Sequence, residues 1–517
     1  MFALAVLIGI YSYGIFGLGI LHLLTKSNIL GFTFSWLLIT GAYLLSHLKL
    51  RSIITNFSSS VSSLTTGKKI LLGILTAQIL VNLLGVFGPE IGFDALWYHL
   101  GLPKIWLLRH EIAYLPGPTF RYSVMPKLTE TLYTAALAFS GVSLAKLIHF
   151  TFGLLSVIVT YQLSRKFLSV PFSLLACVIF SANLVFGWES SSAYVDLSRT
   201  FFEVLALRLF SEKKYTSSAV TLGLAAAVKI ISLISLPLFL LLLRFDQVKP
   251  GVYLKYIFYT LLIPLPWLTL AFTATGNPFY PLLSSVMEPA YFSLNPRDLW
   301  ILFTSGPDPI SPLYLITAPL IFSVKFTKQG RGVRKIFLYA GIALLLWFIF
   351  PHPGGSRFLL PYLPVFSLLA AWIISLQKDK FIRNFLLVLA LTLSLTTVLY
   401  RLTANWKFLP VITNRQSRAD FLLRHLNFRF GDYYDAGNVL ASAVTADKTL
   451  LVAGINNLFY LPDGLNFTHL SELADLKAIS QYDYLLIRQP DAGFTPRKDW
   501  ILLNRNLLTN TQLYRHN

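Results

Sequence analysis

The chain has 517 residues, 55% of them hydrophobic and only 13% charged, with a mean hydropathy of +0.63. Soluble domains carry about 25% charged residues, so this composition excludes an ordinary soluble protein and requires surface that faces lipid. The net charge of +20 does not call for nucleic acid, because Lys and Arg collect in the cytoplasmic loops of membrane proteins and set their orientation.

A spanning helix needs about 20 predominantly apolar residues. In chain order such runs fall near 2–24, 29–48, 69–88, 144–163, 170–187, 193–210, 216–229, 231–243, 252–273, 310–324, 335–350, 357–376 and 382–400. They predict a mainly α-helical, polytopic membrane protein with about 13 transmembrane helices. The first run lacks the basic n-region of a cleaved signal peptide and reads as a retained helix. Cys177, the single cysteine, lies in an apolar run, so no intramolecular disulfide forms.

Basic loops set the orientation. "KFTKQGRGVRK" (325–335) holds five Lys/Arg and no acid, and "QKDKFIRN" (377–384) holds three against one Asp. With "SRK" (164–166) and "GKK" (67–69) also inside, 89–143, 188–192, 274–309 and 351–356 fall outside, as does everything after about 401. The parity closes when 216–243 makes two passes that turn at Lys229. Three regions follow: N-terminal accessory helices and a cytoplasmic loop (1–68), a transmembrane catalytic core (69–400) and an extracytoplasmic domain (401–517). Within the core, 125–141 carries Lys127 and Glu130 in an apolar setting and is expected to lie as an amphipathic helix at the outer interface. With 94–110 it would form an external shelf.

The last region changes character. "KTLLVAGINNLFYL" (448–461) and "YDYLLIRQ" (482–489) read as buried strands, with helices at 417–426 and 469–479, which predicts a small α/β domain. Its His425, Asp432, His469 and Asp483 are scattered without metal or triad spacing, so it is expected to pack over the outer face and to shape acceptor access.

Chemistry-bearing residues gather at the outer boundary. "GPEIGFDALWYHLGLPK" (88–104) directly follows an uncharged run. At helical spacing Asp94, Trp97 and Tyr98 share a face, and a carboxylate beside aromatics is partly desolvated and more basic. The alternative is that Asp94 caps the following helix; Glu90 and His99 carry less information alone. "AYVDLSRTFF" (193–202) places Asp196 at the next outer boundary, with Glu189 just before it. "GLAAAVKIISLISLPL" (223–238) plants Lys229 at the tip of an apolar helix pair, "TGNPFYPL" (275–282) follows a span, and "GGSRFLLPYLP" (354–364) opens another with Arg357. Ionisable residues in or beside spans are functional candidates by default.

In this order and on this side, "DALWYHLGLPK", "AYVDL", "GLAAAVK", "GNPFYP" and "SRFLLPYLP" resemble the GT-C superfamily of membrane glycosyltransferases. The resemblance is to its family 39-like bacterial branch, related to protein O-mannosyltransferases and aminoarabinose transferases. It runs from about 69 to 400, so the two helices of 2–48 precede the family core. Many relatives carry two adjacent acids in the first loop, whereas Ala95 follows Asp94 here and leaves that carboxylate without its usual neighbour for an acid-pair or metal role.

The resemblance implies sugar transfer from a polyprenyl-phosphate-linked donor to an extracytoplasmic lipid, glycan or protein acceptor, at the cell membrane and without nucleic acid. Asp94 would be the general base, and Lys229 and Arg357 the cations that meet the leaving phosphate. Asp196, Glu189, Trp97, Tyr98 and His99 complete the expected substrate site. Trp97, Tyr98 and Trp106 could stack on sugars or anchor the interface. Asp196 could orient the acceptor, bind a metal or simply pair with Arg199. No cofactor is certain, and a divalent metal stays open. The rival functions are a lipid-linked-sugar flippase or transporter, a surface-polysaccharide ligase or polymerase, and a non-catalytic subunit of a glycan assembly complex. Against transport, the charges sit at one membrane face and not at the midplane.

Overall fold

The computed structural model describes residues 1–47, 65–285, 295–304, 308–323, 330–350, 355–473, 476–488 and 495–517. The 325–329 part of the basic loop, parts of the expected outer segments (286–294, 305–307 and 351–354) and 474–475 lie outside the described residues.

The helices, in order, are α1 (Phe2–Ile20), α2 (Lys26–His47), α3 (Thr66–Val86), α4 (Gly101–Arg109), α5 (Leu128–Phe139), α6 (Val142–Ser164), α7 (Val170–Ser181), α8 (Leu184–Glu189) and α9 (Asp196–Ser211). They continue with α10 (Tyr215–Val228), α11 (Ser235–Asp246), α12 (Pro250–Leu262), α13 (Leu265–Thr275), α14 (Arg297–Thr304) and α15 (Leu313–Thr317). Then come α16 (Arg331–Ile349), α17 (Ser356–Leu376), α18 (Lys380–Trp406) and α19 (Arg418–His425).

The protein is a multi-pass membrane protein, but its helices are less uniform than the apolar runs suggest. Among the described residues six of them (α1, α3, α6, α16, α17 and α18) are long and apolar enough to cross a bilayer, or seven if the bent pair α12–α13 is one span. Several expected spans are short. At about 1.5 Å per residue, the 12 residues of α7 reach only about 18 Å and the 14 of α10 about 21 Å, against a hydrocarbon core of about 30 Å.

Specific residues cause these breaks. The run 170–187 stops where the Asn183 amide donates to the Ile179 and Phe180 carbonyls (3.0 and 2.9 Å), ending α7 before α8 begins. The run 252–273 bends by 59° around Pro264, which removes a helical N–H and crowds the preceding turn. The run 216–243 does turn back at Lys229: the Tyr215 hydroxyl at the start of α10 bonds Asp246 at the end of α11 (3.1 Å).

Helix α9 organises the bundle. Residues 196–207 are all buried, and a helix enclosed on every side occupies a core. It packs between α6 and α10. Helix α3 buries Leu71, Ile74, Leu75, Gln78, Asn82 and Gly85, a single stripe at three- and four-residue spacing that faces α7 and α18. Helix α1 is bound into the same body: the Ser12 hydroxyl donates to the Leu128 carbonyl (3.0 Å) and lies 2.6 Å from the Thr131 hydroxyl.

Helix α5 departs from the expected interfacial helix. Residues 128–136 are all buried, between α1, α4 and α6. The charges that suggested an amphipathic surface pair with one another inside: Lys127 Nζ lies 3.1 Å from Glu130 Oε1. Trp106, read as part of an external aromatic shelf, is likewise 1% exposed and packs near Trp267.

The C-terminal region carries a five-stranded sheet of order β2-β1-β3-β5-β4. Its strands are β1 (Thr449–Ala453), β2 (Asn466–His469), β3 (Tyr484–Arg488), β4 (Trp500–Asn506) and β5 (Thr511–His516). The first three pair in parallel and the last two join antiparallel. The expected strands correspond to β1 and β3. In place of the expected helix 469–479, the described residues there show β2 ending at His469 and short 3-10 turns at Leu470–Glu472 and Leu476–Gln481.

This domain is keyed to the first loop. Arg109 forks onto Glu472 (2.9 and 3.1 Å), Lys104 Nζ donates to the Phe459 and Leu461 carbonyls, and the Tyr460 hydroxyl donates to the Glu90 carbonyl (2.7 Å). Gly117 sits at φ +94 with its Cα facing the Ser471 carbonyl, where a Cβ would fall 1.9 Å from oxygen. Only glycine fits there.

Candidate active site

Four chain segments reach one end of the bundle: the stretch after α3, the start of α9, the end of α10 and the start of α17. Each brings one ionisable residue. Asp94 precedes a π-turn, Ala95–His99, closed by the Leu100 N–H donating to the Ala95 carbonyl (2.8 Å). Asp196 is the first residue of α9, where a carboxylate suits the positive end of the helix. Lys229 is extended (φ −153°, ψ 115°) between α10 and a 3-10 turn, so its side chain leaves the helix line. Arg357 is the second residue of α17.

These four form a chain of alternating charge. Arg357 Nη1 donates to Asp94 Oδ2 at 2.6 Å, Arg357 Nε stands 3.7 Å from Asp196 Oδ2, and Lys229 Nζ donates to Asp196 Oδ1 at 2.9 Å. Aromatic faces line it: Arg357 lies 5.1 Å from the Tyr194 ring and 5.6 Å from Phe358, and Lys229 lies 4.8 Å from Phe358. Two carboxylates balance two cations. Arg357 Nε and Asp196 Oδ2 are buried without a hydrogen-bond partner, so each end of that contact has capacity left for a ligand.

Two bland readings of the sequence therefore do not hold. Asp94 occupies the position ahead of the turn, but its side chain makes no cap bond and goes to Arg357. Asp196 does not pair with Arg199, whose Nε goes instead to Glu203 at 2.7 Å. Burial resists ionisation of Asp94, yet the Arg357 guanidinium outweighs it, with smaller help from His99 and Lys229, and holds the carboxyl below its usual range.

The other predicted site residues surround this group. Trp97 Nε1 donates to the Thr119 carbonyl (2.8 Å), and its ring meets Phe93, Tyr98 and Tyr122 edge-on, with Arg121 5.1 Å away. Tyr98 is half-buried beside Tyr122 and His99. His99 faces away from solvent and bonds Glu130 through Nδ1 (2.8 Å). Glu189 is completely buried, 3.8 Å from His149 Nε2, and neither carboxylate oxygen has a hydrogen-bond partner. Glu90 is structural: its carboxylate accepts from the N–H groups of Ile91, Gly92 and Ala193 (2.9, 2.7 and 2.7 Å), tying the first loop to the segment before α9.

Residues that the sequence reading passed over also belong here. The Tyr194 hydroxyl accepts from the Asp94 N–H (3.3 Å) and its ring lies under Arg357; it stands in the quoted "AYVDL", two residues before the acid. Phe358 follows Arg357 directly. His149 on α6 accepts the Leu197 N–H at Nε2 (3.0 Å) and sets Nδ1 2.9 Å from the Ser192 carbonyl, so it orients the entry of α9. A histidine inside an apolar run was its signal. Among the described residues, no group of three or more His, Cys, Asp or Glu is arranged to hold a metal ion.

No protein-family model matches the sequence, and no curated protein matches it. Solved structures do match the fold. Crystal structures of ArnT from Cupriavidus metallidurans, bound to undecaprenyl phosphate and in the apo state, superpose with TM-scores of 0.58 and 0.57 at 12% identity. Each covers 87% of this chain and 98% of that one. The Archaeoglobus fulgidus oligosaccharyltransferase, crystallised with Zn and sulfate, gives a TM-score of 0.50 at 14% identity, covering 80% of this chain and 68% of its own. The chain has the GT-C fold. At 12–14% identity the likeness is one of fold. In this GT-C bundle, Asp94, Asp196, Lys229 and Arg357 meet at the end that also carries the C-terminal sheet domain. Lys166, Glu212, Asp246 and Lys335 pair at the opposite end.

Proposed function

We propose that this protein is a membrane glycosyltransferase that moves a sugar from a polyprenyl-phosphate donor to a nucleophile presented outside the cytoplasm. The observation that carries the reading is the convergence of Asp94, Asp196, Lys229 and Arg357 within a GT-C fold. The solved ArnT binds undecaprenyl phosphate, and the same ligand chemistry suits this site. A departing lipid phosphate gathers negative charge, which a planar guanidinium and an ammonium stabilise. Attack at the anomeric carbon requires the acceptor to lose a proton, which Asp94 accepts.

The Asp94–Arg357 bond gives the sequence of events. Without donor, the guanidinium keeps Asp94 ionised but weakly basic. An incoming phosphate competes for Arg357, loosens that bond and returns basicity to Asp94 when a sugar is in place. Asp196 and Lys229 hold the other flank, and Tyr194 and Phe358 exclude water from the cations. Purified protein in detergent, given a panel of polyprenyl-phosphate sugars with lipid, glycan and peptide acceptors, should consume at least one donor; a flippase leaves every donor chemically intact.

The basic-loop parity supports an outward-facing site. The native Cys177 is buried, so single introduced cysteines report cleanly. Arg415→Cys should label with an impermeant maleimide in intact cells, and Lys249→Cys only after permeabilisation. The reverse pattern would turn the active site to the cytoplasm and end the extracytoplasmic reading.

A further inference from the structure

Behind Asp94 lies a second polar group that the transfer step does not use. The π-turn carries His99 inward, where it is 2% exposed and meets Glu130 on α5, itself 1% exposed. Single-turn π elements are frequent at functional sites. Lys127 Nζ, 3.1 Å from the same Glu130 oxygen, keeps that carboxyl ionised. Glu130 is then acceptor-only, so the Nδ1–H of His99 must be the donor across their 2.8 Å contact. Nε2 is left with a lone pair, and it is buried without a hydrogen-bond partner.

Tyr194 joins this group to the site. Its ring lies 5.6 Å from His99 and 5.1 Å from Arg357, while its hydroxyl takes the Asp94 N–H. We infer that His99, oriented by Glu130, is a positioning residue that resets Asp94 by receiving its proton; this rests on the transfer reading above. The acceptor hydroxyl gives its proton to the Asp94 carboxylate as the new C–O bond forms and the anomeric C–O bond breaks, its electron pair going to the lipid phosphate. The Asp94 acid then yields that proton to His99 Nε2, and the Glu130 carboxylate stabilises the imidazolium through Nδ1–H. The imidazolium loses it to water when products leave.

Of the charged groups around the ring, Glu130 and Asp94 favour the imidazolium and Lys127 opposes it. Tyr98 comes from its own turn and Asp94 from just before it, Glu130 from α5 and Lys127 from the residue ahead of α5, and Tyr194 and His149 from the elements beyond. Burial draws the imidazole below its ordinary value against the pull of Glu130 and Asp94, so it is neutral and open to a proton near pH 7.

The test is NMR of the full-length protein labelled with ¹⁵N-histidine, His99 being assigned from the signal lost in His99→Gln. The wild type should show the Nδ1–H tautomer, and Asp94→Asn should lower the His99 titration midpoint, because a negative charge that favours the imidazolium is gone. A midpoint unmoved by Asp94→Asn overturns the proposal. Kinetics give the second arm. With enzyme in excess over the donor found in the panel, His99→Gln keeps the first turnover, whereas multiple turnover falls about 10²-fold, the low end of an acid–base contribution. An equal loss in both regimes is a packing defect and overturns the resetting role. A moved midpoint in a protein that consumes no donor overturns the transfer reading and leaves the proton link between His99 and Asp94 standing. Donor consumption with His99 indifferent to Asp94 does the opposite.

Discussion

Asp94→Asn is expected to reduce turnover by about 10²–10⁴-fold, the loss typical when a general base is removed, with folding and donor binding preserved. Asn keeps the shape of the side chain and can still accept from Arg357 Nη1, which now bonds Asp94 Oδ2 at 2.6 Å. Donor affinity should hold or rise, since a neutral amide competes less with the phosphate for the guanidinium. The pH profiles sharpen the assignment. In the free enzyme Arg357 holds Asp94 below its usual range, so the acid limb of kcat/KM should lie below about 3.9, the ordinary Asp value. In the donor complex the phosphate occupies Arg357, so the acid limb of kcat should lie higher. Coincident limbs in the two profiles would mean that the phosphate does not displace Asp94. Near-wild-type turnover in Asp94→Asn would remove it from the chemistry altogether.

Much of this site was legible because ionisable side chains are rare in an apolar chain. Asp94, Asp196, Lys229 and Arg357 are conspicuous against uncharged runs, and the alternation of inside and outside loops places all four at one end. What could not be read is which neighbour each one chooses. Arg199 stands three residues from Asp196, yet Glu203 takes its Nε and Asp196 reaches across to Lys229. Sequence spacing limits candidates within a helix; partners between helices depend on packing. The same limit explains α5. An amphipathic pattern with Lys127 and Glu130 suits either a membrane surface or a buried ion pair, and only the neighbouring α1, α4 and α6 decide it. Helix lengths were overread for a related reason. Hydropathy follows apolarity and misses a backbone break, so Asn183 and Pro264 were absorbed into runs that the chain interrupts, whereas the charge of Lys229 marked its turn. Those interruptions matter. Lys229 can point at Asp196 because α10 stops there. In the C-terminal domain, β1 and β3 were visible as continuous apolar stretches suited to a sheet interior. The β4–β5 hairpin, with Ile501, Leu502 and Leu503 partly exposed and Asn and Arg between, gave no such signal.

Arg357→Ala should produce a different failure from Asp94→Asn, affecting stability, donor binding and rate together. The guanidinium is 14% exposed and touches both site carboxylates, directly at Asp94 and at 3.7 Å from Asp196. Removing one partner of a buried ion pair typically destabilises by about 3–5 kcal/mol, and Lys229 can compensate only Asp196, which it already bonds. The melting temperature should therefore fall well below that of the wild type. Donor binding should weaken as well, because the phosphate loses its planar partner before and during bond cleavage. Arg357→Lys separates the contributions. It restores the charge between the two acids and so recovers most of the stability, but an ammonium cannot form the bidentate, in-plane contact that a phosphate makes with guanidinium. That variant should fold nearly as well as the wild type and still bind undecaprenyl phosphate poorly in a titration of the purified protein. If Arg357→Lys binds the lipid phosphate as the wild type does, Arg357 serves the architecture of the acid cluster, and the phosphate must be met by Lys229 alone.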